Sequence, residues 1–393
     1  MLAPMPDDNH PGLMSVASIK VIFGSISASI AFVMELTLVP LLLPAIQSEY
    51  ALSTSELSWV FNSYGFAVAV GVLMGGWLGD TLNTKRVFGL GVLLFAAGSA
   101  VVALAGTYEV MLAGRILQGF GGGVFSALIP LLLTNASPDR PGKILIVWGS
   151  VAGYVAAFAP FVYGSSLESY DWNVAFLIFA GVALIALAIV NTAGPQEESA
   201  SLDGPNPDYV RLLRTTELWV MFLYVFCSYG AITYFLFRFP LWMSERDYQL
   251  ASIGLSLSIM WLSFSFVSTL LRNKVDKPHV RIILLAAPLL IATGLPVAYF
   301  AESMPYFALA SFLVGSGLAC SNAPSTQLIL EFAPREMRAA SVSLDITFAR
   351  LGGVVFVGVL SQMSFGYSVL AVIAMSAIAL LCAANAIRRI DAD

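Results

Sequence analysis

Charged side chains interrupt segments of this sequence that are otherwise apolar enough to lie in a lipid bilayer. Glu35, Arg115 and Arg350 each stand inside such a segment. A charge within a bilayer needs a partner or water, and it often marks an ion or substrate pathway. A carboxylate there can take up and release protons, and a guanidinium can hold an anion. These residues are therefore the first candidates for function.

Depth along a helix separates charged groups that can reach water from those that cannot. At ~1.5 Å per residue, Glu35 lies about 15–20 Å from the ends of its segment, too deep for a short carboxylate to reach the headgroups. We interpret it as a proton-exchanging carboxylate, with a protonated, hydrogen-bonded core acid as the alternative. Arg350 lies about 18 Å beyond Arg338. We interpret it as a cavity residue with bound anions or Glu35 as candidate partners, and a buried structural pair is the alternative.

Three further charges are closer to a helix end. Arg115 is about 9 Å from the outer end of its segment, so that snorkelling to the headgroups is an alternative to function. Arg238 lies in TYFLFRFPLWM with Tyr234 and Phe237. This pattern fits an interfacial aromatic belt as well as a wall that contacts an anionic or aromatic substrate. Asp345, about 10 Å from the cytoplasmic end and on another helix face than Arg350, is predicted at a cytoplasmic gate rather than in the cavity.

The composition is that of a polytopic membrane protein. Of 393 residues, 58% are hydrophobic and 11% are charged, and the mean hydropathy is +0.84. Because a spanning helix needs about 20 apolar residues, we predict an all-α fold with twelve transmembrane helices. The predicted spans are 21–45, 57–79, 87–106, 109–134, 144–165, 172–194, 217–242, 249–271, 279–301, 304–329, 340–364 and 367–387.

The distribution of Lys and Arg predicts the orientation of these spans. An even number of spans puts both termini on one side. If that side is cytoplasmic, the outer loops hold only Arg246, and every other loop Lys or Arg lies inside. The N-terminus is acidic and Pro-rich, unlike a cleaved signal peptide, so the first span is expected to stay. We therefore predict a multi-pass protein of the inner (cytoplasmic) membrane with cytoplasmic termini.

The two halves of the chain repeat one another at an offset of 196 residues. Pro44, Ser48 and Glu49 recur as Pro240, Ser244 and Glu245, and RILQGFG from Arg115 aligns with SFLVGSG from Ser311. We predict a cytoplasmic tail (1–20), a six-helix half (21–194), a cytoplasmic linker (195–216) and a second six-helix half (217–388). Six spans per copy make the repeats parallel, an architecture in which substrate sites lie between the copies.

Several chemistries are not indicated. The sequence has no G-x-x-x-x-G-K-[ST] loop for ATP, and His10 and His279 have no metal-ligand spacing. The three cysteines lie in apolar segments without ligand-like neighbours, and the basic residues are too scattered for nucleic acid. We expect no cofactor, no metal and no enzyme activity. The predicted partners are a small-molecule substrate, protons and the lipid bilayer.

The loop between the second and third spans carries a recognisable pattern. Gly76-Trp-Leu-Gly-Asp80-Thr-Leu-Asn83-Thr-Lys85-Arg86 resembles the G-x-L-a-D-r-x-G-r-k signature of the major facilitator superfamily, and the resemblance extends over essentially the whole chain. In that family the aspartate braces the cytoplasmic ends of the two halves in the outward-open state. The resemblance therefore implies a gating role for this loop, which Asp345 is predicted to join.

Two more segments resemble signatures of that family. Glu35-Leu-Thr-Leu-Val-Pro-Leu-Leu-Leu-Pro44 is similar to the acidic-x-T-x-V-x-x-x-L-P pattern of its drug:proton antiporter branch, and Arg115-x-x-Gln118-Gly-x-Gly121 resembles its R-x-x-q-G-x-G signature, which is implicated in proton coupling. The resemblance implies that Arg115 and Gln118 hold a hydrogen-bond network that changes the proton affinity of Glu35. The helix-five antiporter signature is only partly kept, as Ala159-Pro160 with Gly164.

These observations lead to one functional prediction and two alternatives. We predict a monomeric, proton-coupled secondary transporter that exports small amphipathic organic compounds by proton antiport. Arg238, Arg350, Tyr234 and Phe237 are predicted to contact the substrate. Import or export of an organic anion or metabolite is the first alternative, because the deep cations outnumber the deep acids. A scaffold or receptor that has lost transport is the second.

Overall fold

The computed structural model of the protein describes residues 15–166, 170–193, 214–272, 279–334 and 337–392. In these residues the regular structure is helical, and all twelve main helices are long and apolar enough to cross a membrane. The helices are α1 (Val16–Glu49), α2 (Thr54–Thr81), α3 (Thr84–Ala103), α4 (Tyr108–Ala136), α5 (Pro141–Ser166), α6 (Asn173–Asn191), α7 (Thr216–Ser244), α8 (Leu250–Leu271), α9 (His279–Phe300), α10 (Met304–Phe332), α11 (Arg338–Leu360) and α12 (Phe365–Ala392). The prediction of twelve spanning helices in an all-α fold is confirmed.

Most helices extend a few residues beyond the predicted spans, because local capping sets their ends whereas hydropathy marks only their apolar part. Ser53 and Glu56 form a capping box at the start of α2, and the Asn83 side chain accepts a hydrogen bond from the Arg86 amide at the start of α3. Residues 16–20 of the predicted tail belong to α1, and Thr216 begins α7. Residues 1–14 of the tail and 195–213 of the linker lie outside the described ranges.

Two six-helix groups, α1–α6 and α7–α12, meet along four helix pairs. In the N-terminal half, α4 packs against α2 and α3, and α1 against α6 and α5; in the C-terminal half, α7 packs against α11 and α12, and α10 against α8 and α9. Between the halves, α5 contacts α8, α2 contacts α11, and α1 contacts both α7 and α8. Large apolar side chains such as Phe23 and Leu381 face outward, as expected for a surface covered by lipid.

The hydrogen bonds that we find across the interface lie toward the end of the bundle opposite the described chain ends, which we call the far end. The Asn62 side chain in α2 donates to the Val354 carbonyl in α11 at 2.9 Å. The Phe161 amide in α5 donates to the Ser258 hydroxyl in α8 at 3.0 Å. The far end is thus the side on which the two halves are held together.

The close packing of α2 on α4 depends on glycine. A Cβ on Gly75 would lie 2.5 Å from the Val124 carbonyl oxygen and 2.8 Å from Val124 Cα. A Cβ on the adjacent Gly76 would have nothing within 4 Å. Small residues let helix backbones approach in this way in membrane bundles. The α2–α4 contact therefore requires a glycine at position 75 and does not require one at position 76.

We expect Gly75→Ala to destabilise the protein by about 1–3 kcal/mol, because backbone atoms of α4 must move to admit the methyl group. The measurement is thermal unfolding of the purified protein in detergent. Gly76→Ala is the matched control and should leave the midpoint unchanged. Equal shifts for the two variants would contradict this account of the α2–α4 contact.

Candidate functional site

The deep charges of the N-terminal half form one buried network. Arg115 Nη1 donates to Glu35 Oε1 at 2.7 Å and to Gln118 Oε1 at 2.6 Å, and its Nε donates to the Val60 carbonyl at 3.0 Å. Gln118 in turn donates to the Ser99 hydroxyl at 2.9 Å. Glu35 and Arg115 are each 1% exposed. Four helices, α1 to α4, are therefore joined at a single ion pair.

Local sequence explains why Arg115 points inward. Gln118 is three residues further along α4 and lies on the same face as Arg115. The guanidinium carbon sits 4.4 Å from the centroid of the Tyr64 ring, a cation–π contact that covers its face. Gly98 in α3 has no side chain where the Gln118 backbone passes. Arg115 is thus held by its partners in the bundle and does not snorkel.

Two further polar atoms of the network lie close together in the protein interior. Glu35 Oε2 and the Tyr64 hydroxyl are both buried, and neither has a hydrogen-bond partner of ideal geometry among the described residues. The two groups are nevertheless close enough to act on each other as a strained hydrogen-bonding pair. A carboxylate with one oxygen bound to a guanidinium and the other beside a hydroxyl is a group that can accept a proton.

A cavity of about 450 Å³ lies between the halves beside this network. Glu35, Tyr64 and Arg115 form part of its N-terminal wall, and Arg350 and Asp345 form part of its C-terminal wall. Its lining is mostly apolar and aromatic, with a few polar groups that converge on it. This composition is typical of a small-molecule site. The complete lining consists of Glu35, Leu36, Val39, Phe61, Asn62, Tyr64, Gly65, Arg115, Tyr229, Ile232, Thr233, Leu236, Trp261, Phe264, Leu318, Asn322, Thr326, Val342, Asp345, Ile346, Ala349, Arg350 and Val354.

The position of Asp345 differs from the sequence prediction. Asp345 lines the cavity, and its Oδ2 accepts a hydrogen bond of 2.8 Å from the Thr326 hydroxyl in α10. The expectation that it lies apart from the cavity rested on the angle between it and Arg350 on one helix. The cavity is wide enough for α11 to present both residues to it. Arg350 has no ion-pair partner among the described residues and is half-buried.

The aromatic and cationic cluster around Arg238 lies elsewhere. Arg238 forms a bidentate pair with Glu245, at 2.7 Å and 2.9 Å, and its guanidinium sits 5.3 Å from the Trp242 ring centroid. Neither Arg238 nor Tyr234 nor Phe237 lines the cavity, although the Phe237 ring packs against that of Phe61, which does. In this conformation the structure therefore does not bring them to the candidate site, and their substrate role stays a prediction.

The predicted gating loop lies between α2 and α3. Gly76 faces open space, and Lys85 and Arg86 lie in the first turn of α3. Asn83, which stands where the family signature has glycine, caps that helix, so the turn survives the substitution. The side chain of Asp80 lies outside what the structure describes. The gating role of these residues stays a prediction.

Sequence reasoning missed several polar cavity residues. Asn62, Trp261, Asn322 and Thr326 line the cavity, and the Tyr229 hydroxyl donates to Asn322 Oδ1 at 2.6 Å. The two asparagines carried a usable signal, because an amide inside a spanning helix requires a partner in the bundle. Trp261 carried none, since tryptophan is also found on the lipid-facing surface of spanning helices.

Comparison with known proteins agrees with this geometry. Two parallel six-helix halves around a central cavity are one of the architectures from which secondary transporters are built. The family model described as Major Facilitator Superfamily matches residues 24–357. The chain belongs to the major facilitator superfamily.

Individual relatives cover only part of the chain. The multidrug resistance protein B homolog of Mycobacterium tuberculosis (strain CDC 1551 / Oshkosh) is 27% identical over 56% of this chain and 39% of its own length. The tetracenomycin C resistance and export protein of Streptomyces glaucescens is 31% identical over 39% and 29%. The galactose-proton symporter of Escherichia coli (strain K12) is 28% identical over 46% and 40%. The chain thus spans less than half the length of each of these relatives.

Solved structures show the same fold over nearly the whole chain. The nucleoside transporter NupG aligns with a TM-score of 0.76 at 12% identity, covering 95% of this chain and 98% of its own. The D-xylose-proton symporter aligns with a TM-score of 0.74 at 17% identity, covering 94% and 96%. At these identities the likeness establishes the fold.

The two Arg–Glu pairs give a matched test of the buried network. We expect Arg115→Gln to cost about 3–5 kcal/mol of stability, because it leaves the Glu35 carboxylate buried without its cation. Arg238→Gln breaks a pair whose Glu245 side chain is 49% exposed, and it should cost no more than about 1 kcal/mol. Thermal unfolding in detergent measures both.

A double variant completes this test. Adding Glu35→Gln to Arg115→Gln removes the unpaired charge and should recover part of the lost stability. A double variant less stable than Arg115→Gln alone would show that the charge pairing is not the source of the loss.

Proposed function

We propose that the protein exports small amphipathic organic compounds in exchange for protons, by alternating access. The observation that carries this proposal is the buried Arg115–Glu35 pair at the wall of the cavity between the halves. The resemblance of both residues to antiporter signatures supports it, as do relatives named for multidrug resistance and for export. The proposed partners are protons, the lipid bilayer and a small-molecule substrate, and the working unit is a monomer.

The pair can exist in two states with different contacts. With Glu35 ionised, Arg115 is divided between Glu35, Gln118 and the Val60 carbonyl. Protonation of Glu35 removes the negative charge and weakens one arm of this network, so that Arg115 is left with neutral acceptors. Ions inside a membrane protein interact strongly because the surroundings screen them little. A single proton therefore changes the balance of forces among α1, α2 and α4.

Alternating access requires that the halves close at one end at a time. Here they are joined at the far end, through Asn62 with Val354 and Phe161 with Ser258. With both termini in the cytoplasm of a cell whose inner membrane holds the protein, this is an inward-facing state. We propose that the predicted gating residues brace the opposite end when the far end opens. These residues are Gly76, Asp80, Lys85 and Arg86, without Asp345, which lines the cavity.

Transport of an organic anion, by import or export, is the second candidate. The observation that favours it is Arg350, a cavity cation with no ion-pair partner among the described residues. One relative is named as a galactose-proton symporter. Movement of proton and solute in the same direction is therefore tested alongside their exchange.

Replacement of Glu35 tests the proton coupling. A thermal-shift screen of cationic dyes, organic acids and neutral amphipaths first identifies a transported solute. In proteoliposomes with an imposed pH gradient, Glu35→Gln should then abolish proton-driven flux, because the amide cannot ionise, while solute binding survives. Glu245→Gln in the exposed pair is the matched control. Unaltered pH-driven flux in Glu35→Gln removes this residue from the mechanism, and no flux of any solute under any gradient favours the scaffold.

A reversible crosslink tests the movement of the halves. A Cβ on Gly358 would lie 3.5 Å from Asn62 Nδ2, so Asn62→Cys with Gly358→Cys places two thiols within reach across the far end. In a background with Cys227, Cys320 and Cys382 changed to alanine, oxidation should stop transport and reduction should restore it. Each single cysteine variant is the control. Full transport by the oxidised double variant would show that the far end does not open.

A further inference from the structure

Two charges of opposite sign on α11 face the cavity without neutralising each other. Arg350 and Asp345 both line it, and neither forms an ion pair with a described residue. Their Cα atoms are about 7.5 Å apart along the helix axis and rotated by about 140°. The two groups are therefore held in one cavity by a rigid helix that prevents them from pairing.

Only part of the hydrogen-bonding capacity of the Asp345 carboxylate is used. Asp345 is 7% exposed, and one of its two oxygens accepts the hydrogen bond from Thr326. An ionised carboxylate offers about four acceptor positions, so a single hydroxyl donor leaves most of them unused. A buried charge is costly unless it is paired. A cationic donor would satisfy these positions, and no described residue forms an ion pair with Asp345.

The opposite wall supplies no ion-pair partner for either residue among the described residues, although Glu35 and Arg350 act on each other electrostatically across the cavity. Arg115 and Glu35 are bound to each other, so the N-terminal wall is neutral as a pair. A ligand that is only an anion would satisfy Arg350 and leave Asp345 unpaired. A ligand that is only a cation would do the reverse. A ligand with both charges satisfies both residues at once.

We propose that this cavity binds a zwitterionic amphipath, whose acidic group pairs with Arg350 and whose ammonium group pairs with Asp345. This inference rests on the proposed transport function and names the charge class of its substrate. The apolar body of the ligand lies against the cavity aromatics Phe61, Trp261 and Phe264.

The test is a binding cycle on three forms of one probe. Phenylalanyl-phenylalanine carries both charges, its N-acetyl derivative carries only the carboxylate, and its C-terminal amide carries only the ammonium group. Calorimetry on the full-length protein in detergent gives Kd for each. Wild type should bind the zwitterion at least about tenfold more tightly than either derivative, the scale of one charge-assisted hydrogen bond.

Two variants assign each charge to its residue. Asp345→Asn should lose the preference for the free peptide over the N-acetyl form and keep the preference over the amide. Arg350→Gln should lose the preference over the amide and keep the other. Arg350→Lys retains the cation and should bind the three probes in the same order of affinity as wild type. It is the control for loss of binding through misfolding. Size-exclusion profiles confirm the fold of each variant.

Other outcomes overturn the inference. Tightest binding of the N-acetyl form assigns an anion site, tightest binding of the amide assigns a cation site, and equal or absent binding of all three by folded protein excludes a dipolar site. The cycle needs no gradient. Preference for the zwitterion without proton-driven flux would therefore contradict the proposed function and support this inference. Proton-driven flux without preference for the zwitterion would support the proposed function and contradict this inference.

Discussion

The structure depends on the burial of one ion pair, Arg115 with Glu35, in a chain that offers it little water. Removing two charges from water costs several kcal/mol per ion, and their attraction offsets this only when hydrogen bonds fill the remaining positions. Gln118 and the Val60 carbonyl provide those bonds, and Ser99 fixes Gln118. The positions of α1 to α4 are therefore constrained together. The glycines at the α2–α4 and α3–α4 contacts let the backbones approach closely enough to meet that constraint.

The same network is joined to the interface between the halves by one short segment of α2. Val60 accepts from Arg115, Asn62 donates to Val354 of α11, and the Tyr64 ring covers the guanidinium. These contacts fall within little more than one helical turn. A helix turn moves as a rigid unit, so a change in the Arg115 contacts displaces Asn62 as well. The segment thus physically connects the Arg115–Glu35 pair with a contact that holds the two halves together at the far end.

The sequence was sufficient to predict the number of helices, because each span is long and apolar. The depth of Glu35 followed from helix rise alone. A connection between Glu35 and Arg115 was implied by the family resemblance, whereas helix rise could not give their direct pairing, because pairing depends on how α1 and α4 pack. Trp261 could not be recognised as a cavity residue, since the lipid-facing and cavity-facing sides of α8 are both apolar and periodicity does not separate them. Asp345 was misplaced because an angle on one helix says nothing about how wide a cavity that helix borders.

The charge of the solute determines how it can be coupled to a proton in this cavity. A cation would compete with the proton for the negative charge of Glu35, and exchange would follow from electrostatics alone. An anion would bind better beside a protonated Glu35, and the anion and the proton would then cross the membrane together. A zwitterion adds no net charge, so it acts on Glu35 only through the difference between the fields of its two ends, which is smaller than the field of a single charge. On the proposed mechanism, coupling for such a solute therefore depends mainly on the conformation of the halves. The α2 segment between Val60 and Tyr64 contacts both the ion pair and the interface.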